Sequence, residues 1–195
     1  MVARVMGLLY NVLDSEGDMM LRGENVVLGA IREEDIDVLA SWYENTDFLR
    51  FYDFHPAIPK TREQLRKIYE DGPGESFVPL AIRLNANDRL IGLIELDGIS
   101  VNNRFSWISI GFGDDSHRGK GYGYEALSLA VDFAFRELNL ERLQLNVLSY
   151  NKAAIRLYEK LGFQKEGTYR EAVLRDGKRH DLLLYGILER EWKQK

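Results

Sequence analysis

The stretch DDSHRGKGYGYEALSLAVDFAFRELNLERLQLNVL, residues 114–148, decides the fold. Residues 114–123 are polar and rich in glycine, and read as a loop. Beyond them Leu127, Ala130, Val131, Ala134, Phe135 and Leu138 recur at helical spacing, which predicts a long helix with one apolar face. Residues 142–148 read as a strand, and so does the apolar run 105–113 that precedes the loop. Strand, loop, helix and strand in series make a crossover unit, which as a rule is parallel and right-handed.

Upstream of this unit the pattern is different. Residues 77–84 and 90–99 are apolar strand-like runs separated by the turn Asn85-Ala86-Asn87-Asp88, and Asn102-Asn103 marks a hairpin turn before residue 105. An antiparallel meander is the simplest connection of these three strands. Earlier still, residues 26–31 form a short apolar run. Ile36, Leu39, Ala40 and Tyr43 then fall at i, i+3, i+4 and i+7 behind the acidic first turn Glu33-Glu34-Asp35. Residues 48–59 look irregular, with Pro56 and Pro59 as breakers. Thr61 and Gln64 form a capping-box pattern that opens a helix running through Tyr69, with Asp71-Gly72-Pro73-Gly74 as its stop. Downstream, residues 151–161 carry Ala154, Leu157, Tyr158 and Leu161 on one helical face, with Gly162 as the C-terminal cap. Residues 173–175 and 181–188 read as strands around the turn Asp176-Gly177.

Composition limits the function classes. A chain of 195 residues, 45% hydrophobic and 29% charged, is a globular protein of about one domain. No apolar run approaches the roughly 18 residues of a membrane span. The absence of cysteine excludes disulfides, cysteine nucleophiles and thiolate metal sites. His55, His117 and His180 lie far apart without metal-ligand spacing, so no metal is expected. A net charge of −5 argues against nucleic acid and favours cationic small partners. In residues 1–20, Asn11 interrupts the short apolar patch and a polar run follows it, unlike a signal peptide. This segment reads as an extension to a domain of residues 21–195, and the default location is cytoplasmic.

The loop Arg118-Gly119-Lys120-Gly121-Tyr122-Gly123 lies between a strand and a helix. Glycines there let backbone N–H groups converge, and the helix N-terminus adds positive partial charge, which together suit a pyrophosphate. A plain glycine-rich connector is the competing reading. The Walker loop needs Ser or Thr after Gly-Lys, whereas Lys120 is followed by Gly121; the dinucleotide fingerprint needs a different glycine spacing.

At these residues the chain resembles the GCN5-related N-acetyltransferase superfamily. The loop matches that family's R-G-x-G-x-G motif, and residues 151–163 match its N-x-x-A-x-x-L-Y-E-K-x-G-F motif. The resemblance covers about residues 21–192 and looks closest to the branch of ribosomal-protein alanine and spermidine acetyltransferases. It implies an α/β (α+β) fold: one domain with a mixed, mostly antiparallel sheet, a splayed parallel strand pair and helices on both faces. It implies acetyl-CoA as co-substrate and an amine as acceptor, either a protein N-terminus, a polyamine or another small amine. A homodimer is compatible with it. Carried over by position, Ile110, Gly111 and Phe112 would border the pantetheine arm. Arg118, Gly119, Lys120, Gly121, Tyr122 and Gly123 would hold the pyrophosphate, chiefly by backbone. Asn151 and Ala154 would contact the cofactor, and Tyr158 would protonate the leaving thiolate. By periodicity alone Tyr158 reads as a core aromatic, and it is the motif match that reverses this.

The general base departs from the family pattern. Many relatives carry a glutamate on the fourth strand, where this chain has Trp107. Glu95, on the preceding strand and on the same face as Ile91 and Leu93 by alternation, is the substitute; an ordinary exposed glutamate near a strand end is the alternative. An alkylamine with pKa ~10.4 costs roughly 4.6 kcal/mol to neutralise at pH 7, and an α-amine near ~8 only about 1.4. A site without a strong base therefore favours a low-pKa amine, or water that relays the proton to Glu95. The acceptor pocket is expected from the two early helices and the last hairpin, with Trp42, Tyr43, Phe51, Tyr52, Phe54 and His55 nearby. Competing functions are a CoA-binding regulator, or an acyltransferase with another donor or acceptor.

Overall fold

In the computed structural model, which describes residues 21–70 and 76–192, the strands and helices alternate as the crossover unit requires. In chain order they are β1 (Val26–Gly29), α1 (Asp35–Glu44), α2 (Thr46–Tyr52), α3 (Arg62–Glu70), β2 (Phe77–Leu84), β3 (Leu90–Ser100), β4 (Phe105–Phe112), α4 (Tyr122–Arg136), β5 (Arg142–Leu148), α5 (Lys152–Leu161), β6 (Gln164–Arg175) and β7 (Lys178–Leu188). The strands form one sheet in the order β1-β2-β3-β4-β5-β7-β6. Neighbours are antiparallel except β4 and β5, which are parallel.

The parallel pair is short. Phe105, Ser106 and Trp107 pair with Arg142, Leu143 and Gln144, and beyond these residues the two strands separate. The rest of β4 and β5 border a gap in the middle of the sheet, so the expected splay is present.

Each face of the sheet buries its own core. Leu28, Ile82, Ile91 and Ile94 meet Leu127, Ala130, Val131 and Ala134 of α4 and Leu161 of α5. On the other face Ala81, Leu90 and Leu93 meet Leu39 and Tyr43 of α1, Phe48 of α2, and Leu65 and Tyr69 of α3. Alternation along β2 sends successive side chains to opposite cores. Where the two layers meet the sheet, Asp35 and Arg83 form a buried ion pair.

Four readings of the sequence are corrected. Residues 46–52 are helical rather than irregular, because Asn45 caps the segment: its side chain accepts from the N–H groups of Asp47 at 2.9 Å and Phe48 at 3.3 Å. The prolines act only beyond residue 55. β6 begins at Gln164, not residue 173, and among its twelve residues only Val173 is buried. An edge strand that covers no core has no apolar alternation to read. β1 stops at Gly29. Finally, Gly92 pairs with Ile82 while Leu90 pairs with Arg83, so Ile91 is an extra residue in β3. That bulge sends Ile91 to the α4 face and leaves Glu95 sharing a face with Leu93 alone.

The capping box at Thr61 is formed as read: Thr61 N–H donates to Gln64 Oε1 at 2.8 Å, and Gln64 N–H to Thr61 Oγ1 at 3.2 Å. The extension assigned to residues 1–20 and the helix stop at residues 71–74 lie outside the described residues. No helix among the described residues is long and apolar enough to cross a membrane.

Candidate active site

The glycine loop leads from β4 into α4. Gly119 and Gly121 have φ of +75° and +86°, a conformation that L side chains rarely adopt, and a Cβ at either would meet nothing within 4 Å. The glycines therefore serve backbone geometry beside open space, not tight packing. Gly121 is the N-cap of α4 and supplies no side-chain cap. The first N–H groups of a fifteen-residue helix consequently face the loop without a side-chain acceptor. This is what an anion such as a pyrophosphate needs.

A cleft of about 350 Å³ starts at this loop. Its wall includes Ile110, Gly111 and Phe112 at the free end of β4, Arg118, Gly119, Gly121 and Gly123 of the loop, and Asn151, Ala154 and Leu157 on α5. The side chains of Lys120 and Tyr122 are not part of that wall; Tyr122 packs against the core instead. Asn151 caps α5, its side-chain oxygen accepting from Ala154 N–H at 3.2 Å.

A smaller cavity of about 60 Å³ occupies the splay itself. It shares Phe51, Tyr52, Ile110, Asn151 and Ala154 with the cleft, so the two spaces adjoin. Tyr158, only 5% exposed, reaches this cavity from α5. Its ring packs on Phe163, and its hydroxyl has no hydrogen-bond partner among the described residues. Burial pushes its pKa up, so the phenol keeps its proton at any physiological pH. The ring thus belongs to the core while the residue also lines the cavity. Asn146 on β5 also lines the cavity, and its Oδ1 is buried without a partner.

Glu95 lies in the middle of β3, opposite Ser109 on β4, and its carboxylate points under α2 and α3. Tyr52 donates to Oε2 at 2.6 Å and Tyr69 to Oε1 at 2.9 Å. It is thus half-buried and hydrogen-bonded rather than freely exposed, and it is not at a strand end. Burial raises its pKa above the usual carboxylate value, against the lowering effect of the two tyrosine hydrogen bonds. Tyr69 and Ser109 carried no signal in the sequence: Tyr69 is one of the few apolar positions of a charged helix, and Ser109 is one of two serines in β4.

The far wall joins distant parts of the chain. Arg175 on β6 donates to the carbonyls of Phe54 at 3.1 Å and His55 at 2.7 Å, and Arg50 pairs with Asp176 in the β6–β7 turn. Tyr150 donates to the carbonyl of Arg50 at 2.6 Å. Of the aromatic residues singled out in the sequence, Phe51, Tyr52 and Phe54 line the splay cavity. Trp42 and Tyr43 are core, and His55 stacks outside on Phe54.

Residues 25–164 match the family model described as an acetyltransferase (GNAT) domain. A prophage-derived uncharacterised N-acetyltransferase of Bacillus subtilis is 31% identical over 177 residues, covering 88% of this chain and 94% of the relative. Spermidine N(1)-acetyltransferase of Vibrio cholerae is 26% identical over 167 residues, covering 86% and 95%. The crystal structure of the V. cholerae spermidine N-acetyltransferase with CoA and spermine superposes with a TM-score of 0.77 at 25% identity, covering 85% of this chain and 96% of that one.

Proposed function

Since the chain belongs to the GNAT acetyltransferase family and is an acetyl-CoA-dependent N-acetyltransferase, we propose that a primary amine attacks the thioester directly, with Tyr158 as general acid and Glu95 as base. The observation that carries this reading is the continuity of the glycine-loop cleft with the splay cavity, where the Tyr158 hydroxyl has no hydrogen-bond partner among the described residues. The site fits CoA on its own chemistry: an uncapped helix N-terminus for the diphosphate, and a stretch of β4 edge unpaired to β5 for the pantetheine amides.

The residues divide the work. The loop amides fix the phosphates, and Ile110, Gly111 and Phe112 border the arm. Tyr158 donates its hydrogen bond to the sulfur as negative charge develops there. Glu95 accepts the proton that the acceptor's ammonium must lose before it can attack. Its raised pKa makes it a stronger base than a solvated carboxylate, which eases the cost estimated for an alkylamine.

Among the described residues the lining of the splay cavity contains no carboxylate; Tyr52, Ser109, Asn146 and Asn151 make its surface more polar than apolar, beside Phe51, Phe54 and Leu182. An acceptor with a single amine suits it better than a polyamine, whose further ammonium groups need counter-charges. Spermidine remains the acceptor to beat, given the relatives. Thiol release from acetyl-CoA with 2-phenylethylamine, phenylalaninamide, lysine and spermidine tests the reading. Acceleration by one or more amines is expected, the monoamines ahead. Release no faster than hydrolysis with every amine would refute the direct transfer.

A further inference from the structure

We infer that Tyr52 is a catalytic proton relay that passes the acceptor's ammonium proton to Glu95. The inference rests on the acetyltransferase reading above. Tyr52 lines both the cofactor cleft and the splay cavity, whereas Glu95 lines neither. Both carboxylate oxygens of Glu95 are already engaged, Oε2 by Tyr52 and Oε1 by Tyr69. An amine in the cavity therefore meets the Tyr52 oxygen before it can meet the base.

The ring is held for this task. It stacks on Phe48 with centroids 5.1 Å apart and planes 15° from parallel. Its other support is Gly111, where a Cβ would come within 2.6 Å of the ring. Glycine at that position of β4 is what lets the ring lie against the strand. A phenol has one hydrogen to give, and Tyr52 gives it to Glu95 at 2.6 Å. Its lone pairs are left to accept, and Ser109 Oγ at 3.4 Å is too distant to occupy them fully.

The transfer balances. The ammonium N–H bond breaks as a new O–H bond forms on Tyr52. The original Tyr52 O–H bond breaks as an O–H bond forms on Glu95 Oε2. The net change is ammonium to amine and carboxylate to carboxylic acid, with Tyr52 neutral before and after. Burial and the adjacent Glu95 charge hold the Tyr52 phenol well above its ordinary pKa, so a standing phenolate is excluded and a paired hop is the route left. Tyr69 is a positioning residue: it holds the other oxygen of Glu95 and is itself 3.5 Å from the Tyr43 hydroxyl.

Thiol release with 2-phenylethylamine and phenylalaninamide, followed from pH 7 to 10, tests the relay. Tyr52→Phe should lower kcat/KM for the alkylamine about 10²-fold at pH 7, a typical worth of positioned proton transfer. The loss should be smaller for the α-amine, whose pKa of ~8 leaves more of it neutral, and should shrink for both as pH rises. Glu95→Gln should show the same profile, and the double variant should lose no more than the worse single one. The thermal shift on adding CoA should be kept, showing an intact cleft. A Tyr52→Phe loss that is equal at every pH and for both amines, or that multiplies with Glu95→Gln, would overturn the relay. So would activity within threefold of wild type while Glu95→Gln is impaired, and this leaves the proposed base standing. Full activity of Glu95→Gln removes base and relay together; no turnover of either amine by the wild type removes the proposed function itself.

Discussion

The side-chain amide of Asn151 donates to the backbone carbonyl of Phe51 at 3.4 Å while its side-chain oxygen caps α5. One residue thus joins the helix along the cofactor cleft to the helix that walls the acceptor cavity. Asn151→Ala should cost about 1 kcal/mol of stability through the lost cap and raise KM for acetyl-CoA and for the amine together. Thermal unfolding and two-substrate initial rates measure both. A rise confined to one substrate would show that the Phe51 contact couples nothing.

Gly121 separates backbone strain from charge. With φ at +86°, Gly121→Ala should destabilise by roughly 1 kcal/mol and weaken CoA binding modestly. Gly121→Asp adds a carboxylate opposite the diphosphate and should abolish the thermal shift that CoA produces. Calorimetric CoA affinities for the two variants check this; an affinity for Gly121→Asp equal to wild type would remove the pyrophosphate assignment.

Tyr158→Phe keeps the ring in the core and removes only a hydroxyl that no other described residue uses. The fold and the acetyl-CoA affinity should survive, with kcat down by about 10²–10⁴-fold. Activity within two- or threefold of wild type would mean that solvent protonates the sulfur.

Glu95→Gln should change how stability depends on pH. Folded Glu95 holds its proton more tightly than the unfolded chain does, because burial raises its pKa. Stability of the wild type from this group is therefore present at low pH and is lost as pH rises from the unfolded value of ~4.5 through the folded one. Glutamine has no such proton. The melting-temperature difference, variant minus wild type, should rise with pH across that interval and level off above it. A difference that stays flat from pH 4 to 8 would show that Glu95 is not perturbed.

The cofactor side of the site was legible because its signals are local. The glycine spacing, the Gly162 cap of α5 and the apolar stripe of α4 each lie within a few turns of chain, and the cap and the stripe are formed as read. The acceptor side was not. α2 depends on a single cap at Asn45, and β6 lies at an edge where no core imposes a pattern. The partners of Glu95 come from α2 and α3, so its burial is a tertiary fact. Alternation also misassigned Ile91, since one inserted residue reverses the faces of a strand and leaves no trace in composition.

Residues 50–55, which wall the acceptor cavity, are fastened by Tyr150, Asn151, Arg175 and Asp176, partners 100 to 126 residues away. Loops of that length close slowly and at the expense of much chain entropy. A growing polypeptide can pair β2, β3 and β4 long before it has the residues that anchor this wall. The splay cavity is then expected to acquire its native shape late in folding and to open early under denaturant. Amide hydrogens of residues 50–55 should exchange through local openings at denaturant concentrations that leave the central strands fully protected.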